Sequence, residues 1–275
     1  MALNQYVWHA MFIGIISAVL ALSFVVILIW NHTRKRTIGT ALLLTVFVMV
    51  FINALSNPLI YYFKAEFPDS TIGDAFVIVF LVSNMLSNIF LYNFANRHIF
   101  VDSPVVQNII NALMFTFTTV VVSIMSYEIA TGVENGLFVQ TFIQSATGLE
   151  LTFPTLAAGL LLFLPMFVGF QLRLMLHIIY ILIKEKDADP VKRVAFLFVL
   201  ISVIFMTLQA IITFFFVIPT NGQRVIQLLH AFAGIFMLIM LTFGYLGWVF
   251  PNWLKRSLQK RYGIVDGEIE IFSET

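Results

Sequence analysis

The chain has 275 residues, 60% of them hydrophobic and 11% charged, and its mean hydropathy is +0.98. A soluble domain of this size carries about a quarter charged residues, so lipid rather than water is the expected solvent, and soluble enzymes, nucleic-acid binders and disordered regulators are set aside. A net charge of +1 offers no bulk attraction to nucleic acid, and the lack of cysteine removes disulfides, thiolate metal sites and cysteine nucleophiles.

A helix needs about 20 apolar residues to cross roughly 30 Å of hydrocarbon. Seven stretches reach that length: 7–30, 38–63, 72–95, 105–130, 153–183, 194–218 and 225–250. Unpaired backbone groups are costly in lipid, so each stretch is expected to be helical. The short connections predict one all-α, antiparallel bundle over residues 1–250, followed by a tail over 251–275.

The first stretch has no Lys or Arg among its first ten residues and is too apolar for too long to be a cleaved leader; it is expected to stay as a span. The second contains Asn53, Ser56 and Asn57, the last followed by Pro58, where a kink is expected. Asn57-Pro58-Leu59-Ile60-Tyr61 matches the NPxxY string of G-protein-coupled receptors, but it lies on the second helix instead of the seventh and carries no resemblance. The third stretch opens near Asp74 and contains Asn84, Ser87 and Asn88. Ser103-Pro104 supplies a cap and first-turn proline for the fourth, which ends at Tyr127 and Glu128; Asp189-Pro190 does the same for the sixth.

Between the fourth and fifth spans, residues 131–152 carry Leu137, Phe138, Val139, Phe142 and Ile143, a pattern that fits an interfacial lid or a plain polar loop. The fifth stretch exceeds one crossing. With Phe153–Leu172 in the bilayer, Arg173 would snorkel to lipid phosphate and Leu174–Ile183 would project beyond it; Pro165 predicts a kink. The sixth holds Gln209, and the seventh holds His230 after Arg224. In the tail, Trp253, Leu254, Leu258 and Tyr262 with Lys255, Arg256, Lys260 and Arg261 predict a short interfacial helix on anionic headgroups.

Basic loop residues set the expected orientation. Arg34, Lys35, Arg36, Arg97, Arg173, Lys184, Lys186, Lys192, Arg193, Lys255, Arg256, Lys260 and Arg261 share one side, leaving only Lys64 and Arg224 opposite. The N-terminus is therefore expected outside and the tail in the cytoplasm, in a plasma membrane, with short loops that fit a prokaryotic source. Trp8 at the outer boundary and Trp30, Trp248 and Trp253 at the inner one fit an aromatic girdle, as do Tyr61, Tyr62 and Tyr127 outside and Tyr92, Tyr180 and Tyr245 inside.

The middle of the bundle is expected to hold amides and hydroxyls without charges. Asn53, Asn57, Asn84, Asn88 and Gln209 form the candidate midplane cluster, either joining helices or facing a ligand. A second candidate site lies at the outer mouth: Trp8, His9, Asp74, Tyr127, Glu128, Arg224 and His230. The seventh span has no lysine for a retinal Schiff base. His9 with His230, or His98 with His177, match in depth for haem b, but no cofactor or metal is expected. No HExxH, Gly-x-Ser-x-Gly or phosphate-cradling glycine motif occurs, so catalysis is not expected. The resulting expectation is a non-opsin receptor or sensor that relays a ligand signal to a separate cytoplasmic or membrane protein partner. The alternatives are a facilitative carrier of a small neutral solute and a structural or haem-carrying subunit.

Overall fold

Apolar length dictates helices in lipid, and the chain forms them. The computed structural model describes residues 5–67, 71–133, 136–138, 143–145, 148–150, 156–184, 189–215 and 223–262. Its helices are α1 (Gln5–Lys35), α2 (Ile38–Glu66), α3 (Ile72–Ala95), α4 (Pro104–Thr131), α5 (Leu156–Met166), α6 (Leu172–Lys184), α7 (Pro190–Phe215), α8 (Gln223–Gly244) and α9 (Asn252–Tyr262). Three π-helical turns interrupt or extend them: Asn96–Phe100 prolongs α3, Phe167–Gln171 joins α5 to α6, and Tyr245–Val249 prolongs α8. Two short strands, β1 (Ile143–Ser145) and β2 (Gly148–Glu150), pair antiparallel with Gln144 opposite Leu149.

Among the described residues, seven helical runs are long and apolar enough to cross a membrane: Met11–Lys35, Ile38–Phe63, Ile72–Phe100, Pro104–Thr131, Phe163–Lys184, Pro190–Ile212 and Ala231–Val249. The molecule is an integral membrane protein, a bundle of seven spans. Each span packs on its sequence neighbours, and α1 against α8 closes the ring. The expected caps form. Ser103 Oγ accepts from Val106 N at 3.4 Å, and Asp189 Oδ1 accepts from Val191 N at 2.8 Å.

Lipid tails are as apolar as leucine, so close packing, not water expulsion, must hold these helices together. Glycine provides it. A Cβ on Gly14 would stand 2.8 Å from Pro58 Cδ, so the proline ring of α2 seats in a notch of α1. A Cβ on Gly247 would stand 2.6 Å from the backbone nitrogen of Val199 on α7. Outward, Phe12, Val19, Val26 and Trp30 on α1 and Val105, Ile109 and Leu113 on α4 are exposed apolar side chains, the surface that lipid covers.

Four expectations need correction. The fifth span does not run past the bundle as a free rod: Leu174 and Ile178 are 0% exposed, and Arg173 pairs with Asp102 in place of a lipid phosphate. Its break is a π turn starting two residues after Pro165, whose missing N–H already opens the helical ladder. Trp248, one residue from the end of its span, does not face outward as a girdle residue would: it is 4% exposed and packs edge-on against Phe94, with ring centroids 5.6 Å apart. Tyr92 and Tyr61 are likewise buried. In the tail helix the predicted face divides, because Leu254 and Leu258 pack on Val191, Ala195 and Phe250 while Trp253 and Tyr262 stay exposed. Finally, the segment after α4 contains the β1–β2 hairpin, and only Leu137 and Phe138 of its flanking apolar residues are described along with Ile143.

Candidate functional site: an amide-lined cavity

The ring of helices lines a partly open cavity of about 160 Å³. Asn53 comes from α2, Asn84 and Asn88 from α3, Gln171 from the π turn of the fifth span, and Gln209 from α7. Ser87 and Ser202 add hydroxyls, and the rest of the wall is apolar and polarisable, including Met85, Met206, Met237, Met240, Phe47 and Trp248. No Asp, Glu, Lys, Arg or His is among the described residues that line it. Engineered apolar cavities of about 150 Å³ hold benzene, so the space suits one small molecule.

Four of the five amides of the candidate midplane cluster thus meet at one space, and Asn57 does not line it. Their hydrogen bonds divide them. Gln171, 1% exposed, donates from Nε2 to Asn88 Oδ1 at 3.3 Å and accepts from Thr207 Oγ1 at 3.0 Å. Asn88 Nδ2 donates to Asn84 O at 2.9 Å. This chain of bonds joins α3, the fifth span and α7. Asn53 Nδ2 donates to Phe80 O at 2.9 Å, tying α2 to α3, and Ser202 Oγ donates to Met240 O at 3.0 Å, tying α7 to α8. The amides therefore join helices and surround a cavity at once. Sequence reasoning missed Gln171 because the π turn shifts the helical phase that would have placed it.

Just beyond the cavity, toward the end of the bundle where the basic residues gather, lies a second polar assembly that sequence reading did not single out. Asp102, in the turn between α3 and α4, forms an ion pair through Oδ1 with Arg173 Nη2. Its Oδ2 accepts from Tyr92 Oη at 2.9 Å, and its N–H donates to Asn96 Oδ1. The Arg173 guanidinium lies over the Phe100 ring, 5.4 Å from its centroid. Arg173 follows Gln171 by two residues, so one short segment touches both the cavity and this ion pair. Back from that turn along the two helices, Asn93 and Asn111 exchange amide bonds of 3.1 Å, and Gln107 Nε2 donates to Asn93 Oδ1 at 2.7 Å, joining α3 to α4.

The candidate outer-mouth residues are placed differently. Trp8 and Tyr127 are exposed side chains, whereas Glu128 is buried. The Glu128 carboxylate accepts from the backbone N–H groups of Leu137 and Phe138, the latter at 3.0 Å, and a Cβ on Gly136 would collide with it. Its described role is to fasten the loop after α4 to that helix. Asp74 is half-buried near the start of α3. The side chains of His9, Arg224 and His230 lie outside the described residues. Of the haem-candidate histidines, His98 packs against Phe94 with centroids 4.6 Å apart, and His177 stands 6.2 Å from Phe100. Among the described residues no group of three His, Asp or Glu is placed to hold a metal ion.

Charge-assisted bonds of the Glu128 kind contribute about 1.5–3 kcal/mol. Glu128→Ala is expected to release the segment 136–138 and to raise its nicking rate under limited proteolysis severalfold, with helix content unchanged by circular dichroism. An unchanged nicking rate would show that other contacts hold the loop.

Comparison with known proteins returns no match: no family model, no curated protein and no solved structure is significantly similar to the chain. Fold and site define a multi-pass membrane protein with an uncharged central cavity.

Proposed function

We propose that the protein is a receptor or sensor that binds a small uncharged molecule in the central cavity. The observation that carries this reading is the wall itself, where amides from α2, α3, the fifth span and α7 converge with no ionisable group among the described lining residues. An ion or charged solute there would lose its hydration with no countercharge to replace it. Proton pumping and sodium coupling rest on ionisable groups at depth, which supports a neutral ligand.

The relay follows from the bonds. A ligand that repositions Asn88 or Gln171 acts on the π turn Phe167–Gln171, and Arg173 two residues later carries the change to Asp102 and Tyr92. Two arrangements of α6 against α3 would then differ in ligand affinity, which is what a switch requires. A separate protein at the basic end, cytoplasmic under the positive-inside rule, would read the state of α6 and α9. Exposed Arg256, Lys260, Arg261 and Trp253 on α9 favour contact with anionic headgroups there.

A facilitative carrier is the second reading, favoured by the position of the amides. Asn84 stands at the middle of α3 and Asn53 at the middle of α2, the depth at which carriers hold their solutes. Flux separates the two. The receptor reading expects purified protein in liposomes to bind ligand without accelerating entry of small neutral solutes. Selective uptake that Asn84→Ala abolishes would replace it with the carrier reading. A Soret band in the purified protein would overturn both in favour of a haem-carrying subunit.

A further inference from the structure

We infer that the cavity's ligand is a small, planar, uncharged molecule of amide or lactam type, presenting its carbonyl to Asn84 and its N–H to Asn53. This rests on the reading of the cavity as the binding site and specifies its ligand chemistry.

The amides set the pattern. Gln171 and Asn88 are committed to each other and to Thr207 and Asn84. Asn53 and Asn84 are committed only in part. Asn53 donates one N–H of its amide to Phe80 O, and among the described residues its Oδ1 accepts no hydrogen bond. Asn84 Oδ1 faces Asn88 Nδ2 at 3.5 Å, while its own Nδ2 donates no hydrogen bond among the described residues. Asn53 Oδ1 and Asn84 Nδ2 thus offer the cavity an open acceptor and an open donor. Phe80, which holds Asn53, is one turn before Asn84 on α3, so the two open groups stand on neighbouring turns of one wall, where a single amide can meet both.

The remaining wall selects the rest of the molecule. Flexible thioethers from Met85, Met206, Met237 and Met240, with the rings of Phe47 and Trp248, favour a flat polarisable body. Filling the space with a purely apolar molecule would leave the open donor and acceptor unpaired in lipid-like surroundings. A carboxylate would find no cation among the described lining residues.

The test uses 2-pyridone, a neutral lactam close to the cavity's size, beside toluene and benzoate. Trp248 lines the cavity, so its fluorescence reports occupancy in full-length protein carrying Trp8→Phe, Trp30→Phe and Trp253→Phe. 2-Pyridone is expected to bind at least tenfold more tightly than toluene, and benzoate not to bind. Asn84→Leu, nearly isosteric, is expected to weaken 2-pyridone about tenfold and leave toluene unchanged. Asn53→Leu also breaks the bond to Phe80, so the acceptor is tested from the ligand side: N-methyl-2-pyridone, lacking the N–H, is expected to bind about tenfold more weakly. Toluene binding as tightly as 2-pyridone would overturn the amide inference and leave the cavity as a binding site. Benzoate binding equally would overturn the requirement for neutrality. If neither neutral probe perturbs Trp248, the cavity reading falls and the inference with it.

Discussion

Gly247→Ala is expected to lower the unfolding free energy in detergent by about 1–3 kcal/mol, the usual cost of overpacking. The new methyl group would stand 2.6 Å from Val199 N and 3.0 Å from the carbonyl carbon of Phe198. Both are backbone atoms, so no rotamer change relieves the contact, and α7 must separate from the turn Tyr245–Val249. The bond from Ser202 Oγ to Met240 O on the same helix pair should lengthen with it. Gly169→Ala is the control: its methyl group would meet Ile110 Cγ2 at an ordinary 3.5 Å. The two variants should therefore differ clearly in denaturation midpoint. Equal midpoints would show that α7 and α8 do not approach as closely as described.

Arg173→Gln is expected to cost about 1–3 kcal/mol, less than the 3–5 typical of a fully buried pair, because solvent or headgroups reach part of the guanidinium. The side chain of Arg173 is 36% exposed and that of Asp102 only 10%. The penalty thus comes mainly from leaving the carboxylate enclosed with Tyr92 Oη as its side-chain partner. Asp102→Asn in the Arg173→Gln background removes that stranded charge and should recover most of the loss. A double variant as unstable as the sum of the singles would show that the two residues act independently. Under the receptor reading, Arg173→Gln should also change ligand affinity, since Gln171, the last residue of the π turn, lies two residues before it.

The span count was legible because hydrophobic length in lipid leaves the backbone little choice but helix. Asn53, Asn84, Asn88 and Gln209 were legible as a group because depth along an uninterrupted helix can be counted from its ends. Asn57 shows the limit of counting: one turn beyond Asn53 on the same helix, it has already left the cavity wall. The fifth span was misread because its apolar run offers more than one window of membrane length, and what selects among them is tertiary. Asp102 on another turn receives Arg173. The inward facing of Trp248 was hidden for a related reason, since a tryptophan near a helix end fits an outward girdle until Phe94 is seen beside it. Glu128 gave no sign that its partners would be backbone amides nine and ten residues ahead. Such contacts leave no periodic trace in a sequence.

The wide turn at Phe167–Gln171 sets the angular index of everything that follows it. A regular α-helix advances about 100° per residue. Wound as regular α-helix with the same residues, this segment would need nearly one residue fewer per turn, and α6 would emerge rotated by almost that angle, Arg173 aimed away from Asp102 and Leu174 and Ile178 swung out of the interior they now fill. Which flank of the downstream cylinder faces inward is thus set by the number of residues shared by a single coil, apart from their chemical identity.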